Sequence, residues 1–146
     1  MAKLRRRTRA RELALQFLYM HDLQSSPDAA DGLAAFFEWQ HVSDAEIRNF
    51  ARALVEGYFE HQEEIRERIF PLIKNWTEDR LTVVDRNILR MASYELSYEP
   101  DVPFKVTINE AIDLGKKYST RESGKFVNGI LDEFVRRYVP EKMQRS

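Results

Sequence analysis

Cysteine is absent from the 146 residues, which removes disulfides, thiolate metal sites and a cysteine nucleophile together and fits a reducing cytoplasm. Histidine is scarce: His21, His41 and His61 stand far apart and form neither an H-x-x-x-H nor an H-E-x-x-H pattern, so no histidine metal site is expected. Only five glycines occur, with no G-x-G-x-x-G, no G-x-x-x-x-G-K-[ST] and no G-x-S-x-G, so neither a phosphate-cradling loop nor a nucleophile elbow is read. No cofactor and no enzymatic activity are expected. No apolar run approaches the roughly 20 residues of a bilayer span, and the basic N-terminus is not followed by a signal-peptide core. Runs of alternating polar and apolar residues are missing too, which excludes a sheet.

What is present is charge, unevenly placed. The net charge is −1, from 23 basic and 24 acidic residues. Residues 1–11 carry six bases and no acid, residues 116–146 carry eight bases against four acids, and residues 12–115 are net −11. Basic ends attract phosphate, and an acidic body suits a basic protein partner. The N-terminal cations are five arginines and one lysine, and arginine favours bidentate phosphate contacts. A solvated arm is the competing account of this run.

The apolar spacing is helical throughout. Ala10, Leu13, Ala14, Phe17 and Leu18 form one stripe, ending near Asp22. Ser25-Ser26-Pro27-Asp28 opens a second helix carrying Leu33, Phe36 and Phe37. Capping boxes are read at Ser43-x-x-Glu46, Thr82-x-x-Asp85, Thr107-x-x-Glu110 and Ser119-x-x-Glu122, each ahead of an apolar stripe. The stripe behind Ser43 runs unbroken to Pro71, and Trp76 plugs a core in the short stretch beyond. This gives an all-α chain of about seven helices: one domain, 1–146, built from an N-terminal bundle (1–75) and a C-terminal bundle (76–146).

On the first helix Arg5, Arg9, Glu12, Gln16 and Tyr19 share one side, flanked by Arg7 and Arg11. Guanidinium, amide and phenol together suit single-stranded RNA: phosphate contacts, a base edge, a stacked base. Tyr19 as a core-edge residue is the competing account.

The segments RRRTRARELALQFLY, VDRNILRMASYEL and DVPFKVTINEAIDLGKKYSTRESGKFVNGILDEF resemble the NusB family of bacterial antitermination factors. The resemblance runs nearly end to end and is weakest over residues 22–80. It implies two three-helix bundles and binding of boxA RNA in ribosomal RNA leader transcripts, as a heterodimer with NusE, a small-subunit ribosomal protein. RNA polymerase and other Nus factors are implied partners through that complex. The implied RNA contacts fall on Arg7, Arg9, Arg11, Gln16, Tyr19, Lys125 and Phe126. The implied partner surface falls on Asp85 and the turn holding Val102, Phe104 and Lys105. Thr8 stands where some relatives carry arginine, and Glu122 where others carry aspartate. The two basic ends form one RNA surface if the first and last helices lie side by side. Spacing alone puts Phe126 in the core, and Gly129, inside the last helix, is read as a site of close helix packing. Two other functions are weighed. A NusB-like domain of ribosomal RNA cytosine methyltransferases would need an α/β methyl-donor domain, which these residues do not contain. A protein–protein adaptor would lack RNA contact. Self-association of the free chain is compatible with the exposed arginine and aromatic side.

Overall fold

A computed structural model of the chain describes residues 2–24, 32–73 and 81–144. Among them are eight helices and no strand: α1 (Ala2–Gln24), α2 (Leu33–Trp39), α3 (Ala45–Glu60), α4 (Gln62–Ile73), α5 (Val83–Tyr98), α6 (Phe104–Tyr118), α7 (Ser123–Tyr138) and α8 (Glu141–Gln144). The all-α expectation holds. The readings of a helix start at residues 25–28 and of Trp76 in a core fall outside the described residues.

The chain divides into two compact units, residues 1–60 and 61–146. This division falls before α4, whereas the bundles read from the sequence divide at residue 75. The stripe read as one helix from Ser43 to Pro71 is two, turning at His61, and Ile65, Ile69 and Leu72 of α4 pack within the second unit, against α5 and α7.

In the first unit α1 packs along α3. Ala10, Leu13, Ala14 and Leu18 of α1 and Ala51, Leu54 and Val55 of α3 are all buried, as their spacing demands. α2 adds Phe36, whose ring meets Phe17 edge-on at 5.5 Å. α2 ends in a Schellman motif: Val42 N–H donates to Phe37 O and His41 N–H to Glu38 O, with His41 in the left-handed region at φ 57°. The cap of α3 is Asp44, whose Oδ1 accepts from the Ile47 N–H at 3.1 Å. A carboxylate one residue nearer the helix displaces Ser43 from the role read for it.

In the second unit α5 is central, packing on α4, α6 and α7. Thr82 caps it as read, accepting from the Asp85 N–H at 3.0 Å. The other two caps are not where the motif pointed. α6 starts at Phe104 behind Pro103, so Thr107 lies inside the helix, where its hydroxyl donates to the buried Glu95 carboxylate. Ser119 ends α6, and α7 starts four residues later, at Ser123. α6 and α7 approach closely through glycines: a Cβ on Gly115 would stand 2.5 Å from Ser123 Oγ, and one on Gly124 3.2 Å from Ile112 Cγ2. Finally α8 brings Lys142 inward, where its ammonium donates to the carbonyls of Glu99 and Val102 at 2.8 and 2.9 Å. Four carbonyls at a helix C-terminus lack helical partners, and a buried cation satisfies one here.

Candidate nucleic-acid interface

α1 begins with Lys3, Arg5, Arg6 and Arg7 and has no acid in its first turn. Cations there oppose the helix dipole and repel one another. A local cost that folding does not require marks a functional surface. The fold offsets part of it. Arg6 is paired with Asp44 and Glu46, at 3.1 and 3.3 Å. The pairing with Arg6 reinforces the Ile47 hydrogen bond in holding the Asp44 carboxyl below its ordinary value, against the opposing effect of burial.

The other cations of this helix divide into two groups. Arg7 and Arg11, one turn apart, both lie over the ring of Phe50 on α3, at 4.5 and 5.2 Å from its centroid. Arg7 stays half-buried, whereas Arg11 is only 2% exposed. The expectation that Arg11 meets RNA is therefore corrected: its apolar stem and guanidinium fill the α1–α3 seam. Arg9 is half-buried and paired with Glu12. Gln16 accepts from Gln40 Nε2 at 3.2 Å, which ties it to the end of α2. Tyr19 is 37% exposed, with its neighbour Met20 equally so. Arg9, Gln16 and Tyr19 thus remain on the outer side of α1, whereas Arg7 faces α3.

The expected residues of the second unit fare differently. Lys125 is exposed on α7, beside exposed Asn128 and Gly129. Gly129 is thus not the close-packing glycine; Gly115 and Gly124 are. Phe126 is 2% exposed and belongs to the core with Ile130 and Phe134, so its expected RNA-facing role is corrected. Asp85 is 1% exposed and accepts from Ser123 Oγ, which joins the start of α5 to the start of α7. It lies at the base of a pocket lined also by Thr120, Arg121 and Glu122. Val102 and Phe104 are buried as well, at 3% and 7%, and of the three residues read there only Lys105 is exposed. Asp85 and Val102 also flank α5 at opposite ends, separated by roughly 20 Å of helix, so they do not make one patch.

Two features escaped the sequence reading. Phe50 is one residue of the apolar stripe of α3, and only the arginine spacing opposite it signals its role. A groove of about 460 Å³ opens between α4 and α5, with Ile69, Phe70 and Leu89 as its floor and Arg66, Arg86 and Arg90 at its rim. Phe70 is 67% exposed there. Among the described residues no group of three or more His, Cys, Asp or Glu is arranged to hold a metal, and no helix is long and apolar enough to cross a membrane.

Comparison with known proteins gives one answer. The NusB family model matches residues 8–136. The transcription antitermination protein NusB of Trichlorobacter lovleyi is 52% identical over 128 residues, covering 87% of this chain and 88% of the relative. That of Anaeromyxobacter dehalogenans strain 2CP-1 is 47% identical, covering 88% and 89%. Among solved structures, T. maritima NusB superposes with a TM-score of 0.81 at 38% identity, over 94% of this chain and 96% of the other. A NusB chain from a complex of antitermination factors NusB and NusE with double-stranded RNA superposes with a TM-score of 0.82 at 30% identity, over 92% and 98%. An all-helical chain with an arginine-led first helix, matched over most of its length by these proteins, is a member of the NusB family.

Proposed function

We propose that this chain is a cytoplasmic, non-catalytic transcription antitermination factor that binds boxA RNA of ribosomal RNA leader transcripts together with NusE. The observation that carries the reading is α1, where Arg9, Gln16 and Tyr19 stay accessible on the outer side and Arg7 at the edge facing α3, on a helix whose first 11 residues hold six cations. Arginines neutralise phosphates, and an exposed phenol ring stacks on an unpaired base. In the second unit Lys125 is a further exposed cation, on α7. The net −11 of residues 12–115 suits a basic ribosomal protein; the Phe70 groove, rimmed by Arg66, Arg86 and Arg90, would contribute an apolar anchor and not charge attraction. RNA polymerase and other Nus factors join through the complex.

Titrating a fluorescent boxA-like RNA and a scrambled control, with and without NusE, tests the reading by anisotropy. The pair should bind the boxA-like RNA more tightly than the scrambled one, and more tightly than either protein alone. Equal affinity for both RNAs, unaffected by NusE, would overturn it. Association with NusE in the absence of any RNA binding would favour an adaptor instead. A second reading, duplex RNA as ligand, draws on the neighbour solved with double-stranded RNA. A duplex arm in the same titration separates the two.

A further inference from the structure

A cleft of about 360 Å³ lies between α1 and α3, outside the helix side described above, with Lys3, Arg6 and Arg7 on one wall and Glu46, Asn49 and Phe50 on the other. We propose that this cleft is a nucleotide subsite of the RNA face, in which Lys3 and Arg7 take a phosphate, Asn49 reads the base edge and Phe50 is the positioning residue for Arg7. The inference rests on the RNA-binding reading and extends it to α3.

The three cations are not equivalent. Arg6 is matched by Asp44 and Glu46, so its charge is largely spent within the fold. Arg7 is held 4.5 Å over the buried ring of Phe50. A ring orients a guanidinium and restricts its rotamers without neutralising it, so the charge stays available to an anion. Lys3 stands one helical turn before Arg7 and is exposed. Two positive groups thereby converge on one mouth. Asn49 is exposed on the facing helix and carries both a donor and an acceptor, the pair that an unpaired base edge requires. The volume falls within the roughly 300–1,000 Å³ of small-ligand pockets. An apolar peptide would find little floor here. A nucleotide finds cation, amide and room.

The test uses the full-length chain, NusE and a single-stranded boxA-like RNA, with melting temperature followed alongside affinity. Phe50→Leu keeps apolar volume but loses the ring face, and should weaken binding on the order of fivefold for every RNA sequence. Phe50→Tyr should bind within about twofold of wild type, because the ring face is kept. Arg7→Ala should cost less in the Phe50→Leu background than in wild type, since the two act as a unit. Asn49→Ala should lose about tenfold for one base at one RNA position and little for the other bases there. Asn49 is exposed, so its variant decides the matter even where Phe50→Leu lowers stability. If wild type binds RNA while Phe50→Leu and Asn49→Ala match its affinity and salt slope, the subsite is rejected and the α1 face stands. If wild type binds no RNA, the reading beneath the proposal fails and the subsite with it.

Discussion

Tyr19 and Phe126 are both aromatic residues that the family resemblance turns toward RNA, and the fold separates them by burial. Tyr19 is 37% exposed, so Tyr19→Ala should cost about 1–3 kcal/mol of RNA binding while the melting temperature stays close to wild type. Phe126 is 2% exposed, so Phe126→Ala should cost about 3–5 kcal/mol of stability by the cavity it leaves. Thermal melts beside RNA titrations check both, and a sharp loss of stability in the Tyr19 variant would return that residue to the core. Two glycines make a similar contrast. Gly129 is exposed inside α7, where Gly129→Ala should gain about 1 kcal/mol from helix propensity. Gly115→Ala forces a Cβ to 2.5 Å from Ser123 Oγ and should destabilise by about 1–3 kcal/mol. Denaturant melts of the two variants should move in opposite directions.

At the scale of the element, the helical content of α1 to α7 is readable because apolar residues recur at three and four along them; the four-residue α8 has no such recurrence. The helix starts are not. A Ser or Thr followed three residues later by an acid occurs wherever charged helices are common, and only Thr82 of the four candidates caps a helix. Thr107 is instead required by the buried Glu95, and Ser119 ends a helix, so tertiary neighbours decided both positions. The same blindness hid Arg11, Asp85 and Lys142, polar residues that are buried because a ring, a hydroxyl or free carbonyls await them in the fold. The site was legible as far as α1 and its outward side chains. It was illegible on α3, since the pairing of Phe50 with Arg7 spans 43 residues of sequence.

Asp44 at the start of α3 carries a pH signature. Its folded-state value is lowered, so its contribution to stability is present above the ordinary carboxylate value of 3.8 and is lost as the pH falls through the lower folded value. Asp44→Asn keeps a competent cap but removes the charge. Melting temperature followed from neutral to strongly acid pH should fall less steeply for that variant than for wild type. The groove between α4 and α5 is the second element-scale prediction. Phe70→Ala should weaken association with NusE by about tenfold or more, without lowering the melting temperature, because its ring is 67% exposed. Titration calorimetry giving equal affinities for the two proteins would exclude this groove from the interface.

Across the whole molecule, a net charge of −1 conceals two basic ends and an acidic body. On the proposed function, RNA affinity should therefore respond to salt through a few residues and not through the overall charge. The proposed function divides along the same lines: α1 of the first unit toward RNA, and the exposed apolar groove of the second toward a protein. Burial of Arg11 and the ion pairs of Arg6 leave Arg5, Arg7 and Arg9 as the arginines open to an anion, and this makes the claim sharp enough to test. The most direct measurement is the slope of log affinity against log salt for the boxA-like RNA, compared between wild type and the Arg7→Ala/Arg9→Ala double variant. Each phosphate contact contributes about 0.7 to that slope for a single strand, so the account predicts a slope shallower by about 1.4 and weaker binding to every RNA sequence. A slope identical to wild type would contradict it.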